Sequence, residues 1–227
     1  LTGLVVTLRP SLKVTGRMEF EGTAPKPQPQ VTARLAFVFE PMSLDRGPTS
    51  GVSLARLNPD FSLNVGAGLV PGRHMISPIG PPGYQSLKSI TLGGVDVTDM
   101  ALEVGERDIN DLVITFVDTP LASLAVTVTV AMPRARSFDD TVALVFPADR
   151  RYWTDPAPAR RRFRTVPVNA KGVATMADLP AGEYFVTTGT TQEGNTWQEQ
   201  TRLDTLSRRA QRVTLTDGAR ATVEVRR

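Results

Sequence analysis

The sequence predicts an all-β chain of two tandem sandwich modules, and three observations carry that expectation. The first is a repeat. Leu112-Val113-Ile114-Thr115-Phe116 runs into the strand-like Leu124–Val130, just as Leu4-Val5-Val6-Thr7-Leu8 runs into Leu12–Met18, with a spacing of 108 residues from Leu4 to Leu112. The second is short runs of alternating apolar and polar residues between turn formers, in a chain with 18 Pro and 18 Gly; that pattern belongs to half-buried strands. The third is length. At 227 residues the chain holds two domains of about 110 residues more readily than one elaborate core.

Residues 11–118 are expected to form the first module and 119–227 the second, with 1–10 as the closing strand of a preceding module or a strand shared between subunits. Strands are predicted at Leu12–Glu21, Leu35–Glu40, Val52–Leu57, Phe61–Val65, Gly72–Ser77, Ser86–Leu92 and Leu112–Val117. In the first of these, Met18, Phe20 and Gly22 share one face while Arg17, Glu19 and Glu21 share the other. Three prolines between Gly22 and Val31 predict an exposed polyproline-like loop, because Pro cannot donate to a ladder. Gly93–Asp99 reads as a tight turn. The second module repeats the plan. Leu35–Pro41 corresponds to Val142–Pro147, with Asp139 and Asp140 opening that strand, and Leu57–Phe61 corresponds to Val168–Val173. Leu69–Met75 corresponds to Leu179–Phe185, which sets His74 against Tyr184. Between Trp197 and Ala210, the spacing of Trp197, Thr201, Leu203 and Leu206 predicts one short helix, where the first module has its glycine turn.

The run Leu179-Pro180-Ala181-Gly182-Glu183-Tyr184, preceded by Asn169-Ala170-Lys171-Gly172-Val173, resembles the carboxypeptidase regulatory-like family. The resemblance covers both modules and is weaker at Asn58–Met75, which lacks the glycine before Phe61. It implies tandem seven-stranded sandwiches of immunoglobulin-like or transthyretin-like type, common on exported bacterial proteins. Its motifs are a turn and a strand start, and carry no catalytic residue.

Composition narrows the chemistry. There is no cysteine, so disulfides, a thiol nucleophile and thiolate metal sites are excluded, and His74 is the one histidine. His74 reads as a packed or solvent-facing strand residue rather than a member of a triad. No cofactor or metal is expected. Asp96, Asp99, Asp108 and Asp111 read as turn formers, with calcium as the alternative. Lys and Arg exceed Asp and Glu by only 26 to 23, which does not point to nucleic acid, and no apolar run is long enough to span a membrane.

Arg150-Arg151-Tyr152-Trp153 and Arg160-Arg161-Arg162-Phe163-Arg164 flank a proline-rich stretch. The favoured reading is a solvated hairpin whose arginines cover apolar surface. The alternative is a carbohydrate-binding platform of exposed aromatics at Tyr152, Trp153 and Trp197, with Arg161 beside them. At the other end, Leu4, Val5, Val6 and Leu8 form a lone apolar strand whose backbone must pair with something. An upstream module removed from the chain is favoured over addition to another subunit's sheet, which would build a head-to-tail filament.

The functional expectation is therefore a non-enzymatic, exported structural or interaction protein, serving as a spacer, adhesion or assembly unit at the cell surface, outside the cell or in the periplasm. Its partner would be protein, either itself or a neighbouring module. Carbohydrate binding, or service as an accessory domain of a larger enzyme or outer-membrane receptor, stands as the alternative. A short link at Asp118-Thr119-Pro120 would set the modules end to end.

Overall fold

The computed structural model describes residues 12–42, 53–79, 86–130, 138–155, 157 and 159–227. The chain divides into two compact units, Leu1–Phe116 and Val117–Arg227, called modules 1 and 2 below. Leu4–Leu8 lie outside the described residues.

Module 1 contains β1 (Leu12–Glu21), a single helical turn α1 (Pro29–Thr32), β2 (Ala36–Pro41), β3 (Ser53–Leu57), β4 (Ser62–Leu69), β5 (Gly72–Ile79), β6 (Ser86–Leu92), β7 (Val95–Asp96), β8 (Leu102–Val104) and β9 (Ile109–Val117). They form one continuous sheet in the order β7-β6-β9-β1-β4-β3-β2-β5-β8. Module 2 contains β10 (Ala122–Thr129), β11 (Val142–Pro147), β12 (Arg164–Pro167), β13 (Val173–Leu179), β14 (Gly182–Gly189), α2 (Gln200–Ser207), β15 (Gln211–Leu215) and β16 (Arg220–Arg226). Its seven strands make two sheets, β13-β10-β16 and β12-β11-β14-β15.

These two orders are one plan. The run β9-β1-β4 of module 1 corresponds to β16-β10-β13, and β3-β2-β5-β8 corresponds to β12-β11-β14-β15. Register agrees as well as order. Pro41 faces His74 as Pro147 faces Tyr184, and Gly72 faces Val104 as Gly182 faces Leu215. In module 1 the two groups of strands fuse because β3 pairs with β4 through Arg56–Asn64 and Leu57–Leu63. The expected count of seven strands therefore holds in module 2, while module 1 has the seven plus an inserted hairpin, β6–β7. Three-residue β8 is too short to show alternation, so no periodicity in the sequence marks it.

The first and last strands of module 2 run parallel, from Ser123 opposite Arg220 to Thr129 opposite Arg226. In module 1, Lys13 N donates to Asp108 Oδ1 and Thr15 Oγ1 donates to Asn110 Oδ1, both 95 residues apart. A constant separation is what parallel strands give. Gly16 makes the approach of β1 and β9 workable: a Cβ there would stand 2.1 Å from the Leu112 carbonyl oxygen.

Turn chemistry also repeats. Asn169 Oδ1 accepts from Lys171 N and Val173 N, and Gly172 takes φ 77°. In the matching turn Asn58 N bonds Ser62 O, and Phe61 occupies the left-handed position at φ 66°. Phe61 itself, not a residue before it, thus stands where module 2 has glycine. Asp60 accepts from the Ser62 hydroxyl and N–H, bonds that hold its carboxyl below the usual carboxylate range. Gly93 and Gly94, both at positive φ, make the two-residue turn between β6 and β7.

One loop expectation holds over most of its length and another is corrected. Gly22–Lys26 and Gln28 are exposed and outside any strand, while Pro27 is buried and the stretch ends in α1, where Thr32 N bonds Gln28 O. Asp139 and Asp140 lie in a turn before β11, closed by a bond from Thr141 N to Phe138 O. Among the described residues no helix is long and apolar enough to cross a membrane.

Candidate functional site

The strand equivalent in both modules shows where module 2 departs from the shared plan. β2 reads Ala-Phe-Val-Phe-Glu-Pro: Phe37 and Phe39 are buried in the sandwich core, while Ala36 and Val38 are half-buried and Glu40 is exposed. β11 reads Val-Ala-Leu-Val-Phe-Pro and is buried throughout. Its Ala143 and Val145 belong to the core between the sheets. Its Val142, Leu144 and Phe146 face the opposite way, and cannot be left wet without losing the burial free energy of three large side chains. A third layer covers them.

That layer comes from two insertions, the long β11–β12 hairpin loop and the β14–β15 connection. In the first loop, Arg150–Tyr152 and Arg160–Arg162 form 3-10 turns, the first capped by Asp149, whose side chain accepts from Arg151 N. Phe146 sits at the centre of an aromatic cluster, with ring centroids 5.8 Å from Trp153, 5.5 Å from Phe185 and 5.6 Å from Trp197. Phe163 meets Trp197 at 5.8 Å. Each indole is satisfied: Trp153 Nε1 donates to Pro147 O and Trp197 Nε1 donates to Thr165 Oγ1. Leu203 and Leu206 of α2 are also buried.

The expectation of exposed aromatics is corrected on this ground. Trp153 is 1% exposed, Trp197 2% and Tyr152 9%, so no ring face is presented as a stacking platform. Their burial follows from the apolar outer face of β11, which the two insertions exist to cover. The arginines do what the hairpin reading assigned to them. Arg150 lies over Trp153 at 4.9 Å and bonds Asp204 of α2 at 2.8 Å, tying the two insertions together. The most deeply packed arginine is Arg162, one residue from the predicted Arg161, which is half-buried. Arg162 Nη1 donates to Ala181 O and to the Tyr184 hydroxyl, while that hydroxyl donates to Pro180 O. The hydrogen bond from Arg151, with the charges of Arg151 and Arg162, holds the Asp149 carboxyl below its ordinary range despite partial desolvation.

His74 is buried, as is Tyr184 at the same register position, and its Nδ1 lies 3.2 Å from Gly72 O. Asp96 Oδ1 accepts from Thr98 N, Asp108 Oδ1 from Lys13 N and Asp140 Oδ1 from Thr191 N. Asp99 and Asp111 take positive φ. Among the described residues no group of three or more His, Asp or Glu side chains is gathered as metal ligands.

What sequence reasoning missed is a cleft. The layer does not fill the outer face of β11 completely, and a cavity of about 610 Å³ remains beside α2. Leu144, Trp197 and Leu206 give it an apolar floor, while Glu193, Arg202 and Arg209 edge it. A second cavity of about 340 Å³ shares Glu193 and Arg209 with it and adds Arg226 and Arg227. The one signal in the sequence was the arginines interspersed along the predicted helix.

No family model matches this chain, and no curated protein matches it. Among solved structures it is similar to a minor pilin of Streptococcus agalactiae, at 13% identity over 95% of both chains, with a TM-score of 0.37. A streptococcal ancillary pilin matches at 10% identity, over 97% of this chain and 63% of that one, with a TM-score of 0.36. A putative adhesin from Bacteroides ovatus matches at 10% identity over 99% and 98%, with a TM-score of 0.31. At these values the likeness assigns no residue and no role.

Proposed function

We propose that this chain is a non-enzymatic structural and interaction protein, made of tandem sandwich modules of the carboxypeptidase regulatory-like kind, that works outside the cytoplasm as a spacer or assembly unit. The observation that carries the reading is the repetition itself. One seven-strand plan is used twice, with matching register, and each module is elaborated at the same point between equivalent strands. Repetition of a scaffold multiplies length and surface, whereas a catalytic site gains nothing from it. The partner is protein, either itself or a neighbouring module, with self-association through Leu4–Leu8 as the alternative that deletion of residues 1–10 tests. The buried tryptophans lend no support to sugar stacking.

The test is sedimentation velocity of the full chain over rising concentration, beside the chain with residues 1–10 deleted. Assembly by the full chain alone supports self-association through that segment. If both stay monomeric at high concentration, self-association is finished. Robust turnover of peptide or ester substrates, abolished in His74→Ala, would overturn the non-enzymatic reading.

A further inference from the structure

We infer that the cleft beside α2 is a binding site for a free, small anionic amphiphile: an apolar body of one or two rings, or its aliphatic equivalent, with a sulfonate, carboxylate or phosphate head. The proposal does not rest on the function proposed above.

The argument starts from the internal repeat. Module 1 completes the same strand plan with Glu40 where module 2 has Phe146, and with no helix among the described residues between β5 and β8. The sandwich plan therefore does not need the third layer. Where that layer is present it leaves space. The cavity of about 610 Å³ falls in the range of about 300–1,000 Å³ usual for small-molecule sites. Leu144, Trp197 and Leu206 line its floor, buried to 0%, 2% and 7% exposure, so an apolar body would meet only their edges.

Charge then selects the other end. Arg202 and Arg209 edge the main cavity, and Arg209, Arg226 and Arg227 edge the smaller cavity that continues from it. Glu193 is the one acidic residue lining either, and its Oε2 already accepts the Thr190 N–H at 2.8 Å. Arg202 stands 4.0 Å from Glu199, so the net positive charge of the rim centres on Arg209 and Arg226, which outnumber Glu193. Arg209 Nη2 donates to Thr188 O at 3.3 Å, which spends one of the five N–H donors of a guanidinium and fixes the group at the junction of the two cavities. A planar anionic head at that junction would meet the remaining donors while its body lay in the main cavity beside α2.

The experiment is a titration of the full chain with anilinonaphthalene sulfonate, read by dye emission, beside phenylnaphthylamine, the same body without the sulfonate. The sulfonated dye should bind saturably and more tightly than the neutral one. The double variant Arg209→Gln, Arg226→Gln should weaken it roughly tenfold or more, the loss expected for charge-assisted hydrogen bonds, with the neutral dye unchanged. Thr205→Phe, an exposed residue lining the cavity, should weaken both by filling it. Near-ultraviolet circular dichroism identical to the parent shows that each variant retains its packing. Equal affinity for the two dyes, or for the parent and the double variant, would overturn the proposal. So would co-sedimentation with phosphatidylglycerol vesicles in place of dye binding, since it would assign the arginines to a membrane surface.

Discussion

β2 and β11 occupy the same place in the two modules, yet one is buried on one face and the other on both. The residue that separates them most clearly is Glu40 against Phe146. With Glu40 on its outer face, β2 can leave that side partly wet, and module 1 places its extra chain at a sheet edge, where β6 pairs beside β9. With Phe146 there, β11 needs a roof, and module 2 places its extra chain over the sheet face. The same insertion point thus yields an edge hairpin in one module and a helical layer in the other. An insertion goes where unsatisfied surface is, whether that surface is backbone or side chain.

The comparison is broken most severely at Gly16. Alanine there would put a Cβ 2.1 Å from a backbone oxygen and 2.9 Å from its carbon, which no rotamer change relieves. Gly16→Ala should destabilise module 1 by more than about 5 kcal/mol, the range of exceptional single substitutions. Both tryptophans lie in module 2, so the measurement separates the modules. The far-ultraviolet dichroism transition in urea should lose its module 1 component while the tryptophan emission transition stays in place.

A smaller contrast uses the equivalent pair directly. Phe146→Ala should cost about 3–5 kcal/mol, the usual loss for a buried phenylalanine, whereas Glu40→Ala should stay within about 0.5 kcal/mol. Urea midpoints read by tryptophan emission for the first and by dichroism for the second decide it. Similar costs at the two positions would remove the distinction between a one-faced and a two-faced strand.

The smallest effect sharpens the shared turn. Phe61 packs on Phe20 at 5.2 Å but holds φ 66°, where module 2 has Gly172. Glycine should therefore be better than alanine at this position by about 1 kcal/mol, inverting its usual order, because it relieves left-handed strain that alanine retains. Urea denaturation of Phe61→Gly and Phe61→Ala provides the comparison, and a more stable alanine variant would sink the claim.

Much of this architecture was legible in the residues. β1 and β6 begin and end where alternation placed them, and the Gly93–Gly94 turn and the helix after Trp197 follow from local chemistry. Such features depend on neighbours in sequence. The side chains of Tyr152 and Trp153 were harder to place. Arginines interleaved with aromatics favour a hairpin whose arginines cover apolar surface, but leave an exposed platform open as the alternative. What decides between them is Phe146 beneath and Trp197 alongside, both distant in sequence. The continuous apolar run of β11 held the needed hint, since a strand with no polar face must be covered on both sides. The cleft beside α2 was out of reach: the arginines along the helix mark its rim, but the void itself is set by how two layers fail to meet.

The parallel pairing of β10 with β16 has a mechanical consequence. These are the first and last strands of module 2, and they stay in register over seven residue pairs from Ser123–Arg220 to Thr129–Arg226. The chain enters β10 at one end of that ladder and leaves β16 at the other. Tension applied to the two ends of the module therefore loads the whole ladder in shear. Its bonds must yield together, where an antiparallel closing pair would unzip one rung at a time.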